Sequence, residues 1–124
     1  MTTQTTRQLV LNLTVGSVWA QLLDLADSQP YTAASPGRGD LKWLSALNLH
    51  SVEATVEFAI STDNSIADQE RLMPPLPLAQ FESRIDNRGF TIPSTFGVWA
   101  RMVPTSGSDG NMTVQGNVLE IVPD

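Results

Sequence analysis

The chain has 124 residues, of which 41% are hydrophobic and 16% charged, with a net charge of −6 and no cysteine. That length supports one domain with a hydrophobic core, and the composition excludes wholesale disorder, a disulfide framework and thiolate metal sites. Seven basic residues scattered through an acidic chain form no stripe that could displace counterions, so nucleic acid is excluded as a partner.

Residues 1–7 (MTTQTTR) are a polar arm, expected to be mobile unless a partner holds it, ahead of a single domain over residues 8–124. The arm lacks the charged and apolar regions of a signal peptide. No apolar run approaches the ~20 residues of a bilayer span, so no membrane partner is expected. Leu9, Leu11, Leu13 and Val15 alternate and predict a strand. Residues 18–25 fit two patterns. Trp19, Leu23 and Leu25 share strand parity, whereas Val18, Trp19, Leu22, Leu23 and Ala26 would line a helix capped by Ser17. The strand is the favoured reading, because the neighbouring segments are all β in character.

Residues 28–40 are punctuated by Pro, Gly and Ser and predict a long loop. Leu41, Trp43, Leu47 and Leu49 restore alternation, with a parity change near Leu49 and His50 that predicts a bulge or bend. Residues 50–60 alternate almost without a break. His50, Val52, Ala54, Val56, Phe58 and Ile60 take one face, and Glu53 and Glu57 fall on a wet, acidic one. One wet face points to an antiparallel sheet. Residues 73–77 (MPPLP) cannot enter a central strand, because proline donates nothing to a ladder, and predict a stiff surface connector. Short strands follow over 81–86, 90–92 and 96–103. A hairpin loop with Asp109-Gly110 leads to a last strand over 112–121, with a parity change expected at Gly116-Asn117. The fold class is all-β: an antiparallel β-sandwich or jelly-roll-like fold with long loops and little helix. Its core is expected to draw on Leu9, Leu11, Leu13, Trp43, Val52, Val56, Phe58, Ile60, Val98, Met112 and Val114.

Few residues suggest chemistry. His50 is the single histidine and cannot build the usual zinc site alone. Glu53 and Glu57 stand roughly 13 Å apart on a strand at ~3.3 Å per residue, beyond the span of a glycosidase pair. Asp63, Asn64, Asp68 and Glu70 gather oxygen ligands, but their spacing matches no EF-hand. No catalytic residue, cofactor or metal is therefore assigned, and no enzymatic activity is expected. Arg38-Gly39-Asp40 spells an integrin-recognition tripeptide within the predicted loop, although a Gly-rich turn ahead of a strand explains it as well. Trp19, Trp43 and Trp99 invite comparison with sugar-stacking platforms, but each sits in an apolar segment where packing is the ordinary use. Trp99 opposes Val98 and Ala100 in parity and shares a face with Arg101, a pairing suited to an interface.

The run FTIPSTFGVWARMVP, a Gly/Ser hairpin and MTVQGNVLEI resemble the closing strands of small virion proteins of tailed bacteriophages. VEATVEFAISTD resembles a middle strand of the same proteins. Those chains are β-sandwich capsid decoration, cement or tail-accessory proteins. The resemblance implies a non-enzymatic component of the virion that binds major capsid or tail proteins, with a homo-oligomer left as an open alternative. The alternatives are a tail or neck accessory protein, or a carbohydrate-binding sandwich. The segment 65–77 departs from the compact pattern. No functional residue is carried over; Arg7, Leu76, Leu78, Trp99 and Arg101 are the interface candidates, with Leu76 and Leu78 as apolar anchors beside the stiff connector.

Overall fold

The computed structural model describes residues 2–14, 18–49, 53–66, 76–104 and 111–123. Among them the chain forms no helix, and eleven strands build two antiparallel sheets packed as a β-sandwich. They are β1 (Thr2–Thr14), β2 (Ala20–Gln21), β3 (Leu23–Asp24), β4 (Gln29–Pro30), β5 (Arg38–Asn48) and β6 (Ala54–Ser61). The second half adds β7 (Leu76–Leu78), β8 (Ser83–Asp86), β9 (Phe90–Pro93), β10 (Gly97–Pro104) and β11 (Asn111–Pro123). The larger sheet runs β4-β3-β1-β11-β5-β8, with β9 also paired to β5, and the smaller runs β2-β10-β6-β7.

Alternation along the strands makes the core. From the smaller sheet, β6 turns Ala54, Val56 and Phe58 inward, and β10 adds Val98, Ala100 and Met102. The larger sheet answers with Leu9, Leu13, Leu41, Leu44, Met112, Val114 and Val118. Phe58 is 1% exposed, and burying a side chain of that size stabilises by about 1.5–3 kcal/mol. Leu11 and Ile60 are partly buried and pack against this cluster.

Several expectations are corrected. Residues 2–7 are not an arm but the first half of β1, in register with β11 from Thr2↔Pro123 to Thr14↔Asn111. A polar run reads as a tail when its ladder partner lies more than a hundred residues away. Residues 18–25 are neither a helix nor one strand. β2 belongs to the smaller sheet and β3 to the larger, and the chain crosses at Leu22, whose N–H donates to Val98 O at 2.8 Å. That crossing breaks the parity: Leu22 is buried while Leu25 is 59% exposed.

Trp43 is half-buried on the outer face and not in the core. The register steps from Trp43↔Asn117 to Leu41↔Val118, leaving Lys42 as an extra residue, so Leu41 and Leu44 both point inward. The bulge thus falls within β5. β11 keeps one parity through Gly116-Asn117, which places Glu120 on the inner face. Arg38-Gly39-Asp40 is not displayed in a loop but lies in β5, paired with β11 on one side and β9 on the other. Gly39 is required there by close approach, since a Cβ would lie 2.8 Å from both Tyr31 Oη and Val118 Cγ1. Val52, His50, Asp68, Glu70, residues 73–75 and the hairpin loop lie outside the described residues.

Candidate assembly surfaces

The outer face of the smaller sheet carries a built cluster. Register sets Arg101 opposite Glu57 and Trp99 opposite Ala59. Arg101 Nε donates to Glu57 Oε2, and the guanidinium carbon lies 4.7 Å from the centroid of the Trp19 ring. Trp99 Nε1 donates to Ser61 O at 2.9 Å. Glu57, expected on a wet face, is only 4% exposed, and its charge is met there by Arg101. Glu53, by contrast, is exposed. Stacking on Trp19 and pairing with Glu57 hold the planar guanidinium in one orientation.

The second cluster lies at one end of the larger sheet's inner face. Arg7 Nε donates to Glu120 Oε2 at 3.0 Å and its Nη1 to Asp24 Oδ2 at 3.3 Å. The other oxygens accept main-chain N–H groups, from Ala34 on Glu120 and from Ala26 on Asp24, each at 3.0 Å. Asp24 and Glu120 are each 6% exposed. The Glu120 carboxylate holds the Arg7 pKa above its ordinary value, against the opposing effect of burial. Tyr31 is buried beside them, and its hydroxyl has no hydrogen-bond partner among the described residues. Burial, then the nearby Glu120 charge, pushes its pKa well above the ordinary phenol range. Arg7 is thus engaged within its own chain. The cleft beside it holds about 170 Å³, less than the ~300 Å³ at which small-molecule pockets begin.

Leu78 is corrected as an interface anchor: it is 0% exposed and packs into the chain's own core. β7 pairs with Ala54, Thr55 and Val56 as an edge strand, and Asn48 Nδ2 donates to Leu78 O at 2.9 Å, which ties the strand down. Pro77 stands on that edge, the position in a sheet that tolerates proline. The Leu76 side chain lies outside the described residues. The arrangement found instead, Trp19 stacked on Arg101, was hidden in the sequence because nothing local joins residues 82 positions apart; parity links Trp99 to Arg101 only. Among the described residues no group of three or more His, Asp or Glu side chains is placed to hold a metal.

No protein-family model matches the chain, and no curated protein matches it in sequence. Chains of several solved structures match this one, two of them as follows. A chain in the acid-stable capsid structure of Helicobacter pylori bacteriophage KHP30 aligns with a TM-score of 0.58 at 12% identity, over 100% of this chain and 95% of that one. A chain of the disulfide-linked pili that form Bacillus endospore appendages aligns with a TM-score of 0.48 at 13% identity, over 98% and 89%. At 12% identity the first likeness establishes a shared fold; the second carries no weight.

Proposed function

We propose that this chain is a non-enzymatic structural protein of a bacteriophage virion, a decoration or cement protein that binds neighbouring capsid subunits. The observation that carries the reading is the alignment of the whole chain with nearly all of a chain from a phage capsid structure. The outer face of the smaller sheet supplies the contact surface. Trp and Arg are the side chains most enriched at interface hot spots, and here Trp19, Trp99 and Arg101 share one face of a rigid sheet. Glu57 is already neutralised by Arg101, so docking there leaves no unpaired charge behind.

Co-sedimentation of the purified chain with intact particles, with isolated capsids and with isolated tails tests the reading. Binding to capsids, weakened about thirtyfold or more by Trp99→Ala while the circular-dichroism spectrum is kept, is the expected result, since hot-spot truncations cost about 2 kcal/mol or more. Binding to tails alone would assign a tail or neck role. Binding to neither would overturn the virion reading.

A further inference from the structure

Strand pairing carries one row of side chains across the whole larger sheet. Register sets Pro30, Leu23, Val10, Gln115, Ser45 and Ile85 side by side over β4, β3, β1, β11, β5 and β8. Val10 and Ser45 have the opposite parity to the buried Leu9 and Leu44, so this row faces away from the core. None of the six is charged, and Ile85 is 72% exposed. The row of Asn12, Thr113, Leu47 and Ser83 lies on one side of it, and that of Gln8, Asn117 and Trp43 on the other. They too are uncharged, and a cleft of about 220 Å³ opens between β5, β8 and β11.

Two further rows run through Leu119 and Ile121 and hold Asp40 and Arg38, which pair with each other at 3.3 Å. Six strands at ~4.8 Å spacing and five rows at ~6.6 Å make a face of roughly 800 Å², about the area that one partner gives to a stable interface. At its rim stands Lys42, the chain's single lysine and the extra residue of the β5 bulge. It is exposed and lines an outward cleft with Asp40 and Thr91. Among the described residues Lys42 meets no carboxylate, whereas Arg7, Arg38, Arg84, Arg88 and Arg101 each do. A chain of net charge −6 thus gives this face two cations and one acid, and that acid is already paired.

We infer that this outer face is a second docking surface, taking a flat protein face that is uncharged at its centre and brings a carboxylate to Lys42. Depletion of charge at the centre, with aliphatic side chains and a half-buried Trp43, is the anatomy of an interface core. An unpaired ammonium on an otherwise acidic chain selects an acidic group opposite it. A second copy does not fit. Offering the same face, it would bring only Asp40, already held by Arg38, and its own −6 opposes approach. The inference rests on the virion reading, under which the occupant is a neighbouring capsid subunit, and it gives the sandwich a contact surface on each of its two sides.

The single lysine makes a direct test clean. Acetylation of Lys42 by an amine-specific reagent, followed by mass spectrometry, should be at least about tenfold slower on chain bound to capsids than on free chain. Lys42→Glu and Gln115→Glu should each weaken co-sedimentation with capsids at least about tenfold while the circular-dichroism spectrum is kept. Arg84→Glu makes the same change of charge as Lys42→Glu on the opposite parity of β8 and should leave binding within about threefold. Bound chain that is acetylated at the free rate and ignores both Glu variants overturns the inference; if Trp99→Ala still weakens that binding, the virion reading survives it. Lys42 shielded in the concentrated chain alone would assign the face to a second copy and overturn the inference as well. A chain that binds no particle removes both readings.

Discussion

Among the described residues two arginines meet buried carboxylates, and they do so in opposite settings. Arg7 stands on the inner face of the larger sheet, where the apolar core gives way to Asp24, Glu120 and Tyr31. Its partners have their remaining oxygens filled by the N–H groups of Ala26 and Ala34. Arg101 stands on the outer face of the smaller sheet, on a single carboxylate and under an indole. The first cluster closes the end of the core by satisfying polar groups that water no longer reaches. The second builds an ordered, partly desolvated surface where an ordinary sheet face would be wet. Similar chemistry therefore stands at the end of the core in one place and on an outer sheet face in the other, and the two should respond differently to truncation.

The apolar core is the reference for both. Phe58→Ala should lower stability by about 3–5 kcal/mol in chemical denaturation, since the side chain is almost wholly buried; a loss under about 1 kcal/mol would remove Phe58 from the core. Arg7→Ala should come next, at about 2–3 kcal/mol, because it leaves two buried carboxylates without their cation. That figure is set below the usual range because the Arg7 side chain is itself 37% exposed and water can partly replace it. Arg101→Ala removes one cation from beside a buried carboxylate and should cost about 1–2 kcal/mol. If Arg101→Ala proved the costlier of the two, the contrast between core end and outer face would fail.

The pH responses sharpen the contrast further. Tyr31 is the chain's single tyrosine, so its ionisation can be followed by absorbance without interference. Its pKa is raised in the fold, mainly by burial, so the stability it contributes is whole below the ordinary value of about 10 and drains away as pH rises above it. Phenolate absorbance should therefore be missing near pH 10 and appear together with unfolding; a normal titration in the intact fold would show Tyr31 to be open to water. The smallest effect belongs to Asp86, whose pKa is lowered chiefly by the hydrogen bond from exposed Arg88. A lowered carboxyl contributes stability above its unfolded value near 4, lost as pH falls through the folded one. Asp86→Asn should flatten only that acidic limb of the stability curve.

The all-β sandwich was legible from alternation, and β6, β10 and β11 lie where alternation predicts them. Failures came wherever a partner remote in sequence overrode a local cue. Thr2 to Arg7 looks like a tail until β11 is beside it, and Leu78 looks like a surface anchor until β6 covers it. Counting even positions from Met112 would have carried Glu120 inside, but two apolar residues at Leu119 and Ile121 argued for a switch. The cluster on the outer face of the smaller sheet was only half legible for the same reason. Trp99 and Arg101 share one strand and could be paired by parity, whereas Trp19 reaches them only through the pairing of β2 with β10, in which Ala20 stands opposite Ala100.

The β1–β11 ladder also sets how the protein meets mechanical load. Thr2 and Pro123 are register partners at one end of the ladder. Tension applied between those two positions peels the strands apart rung by rung, so each increment of force works against one pair of hydrogen bonds at a time. Load entering at Thr2 and leaving through Asn111 would instead pull the two strands past each other along their length and strain many rungs together. The same thirteen-residue ladder is therefore weak in one direction and strong in another, and the points of attachment decide which is felt.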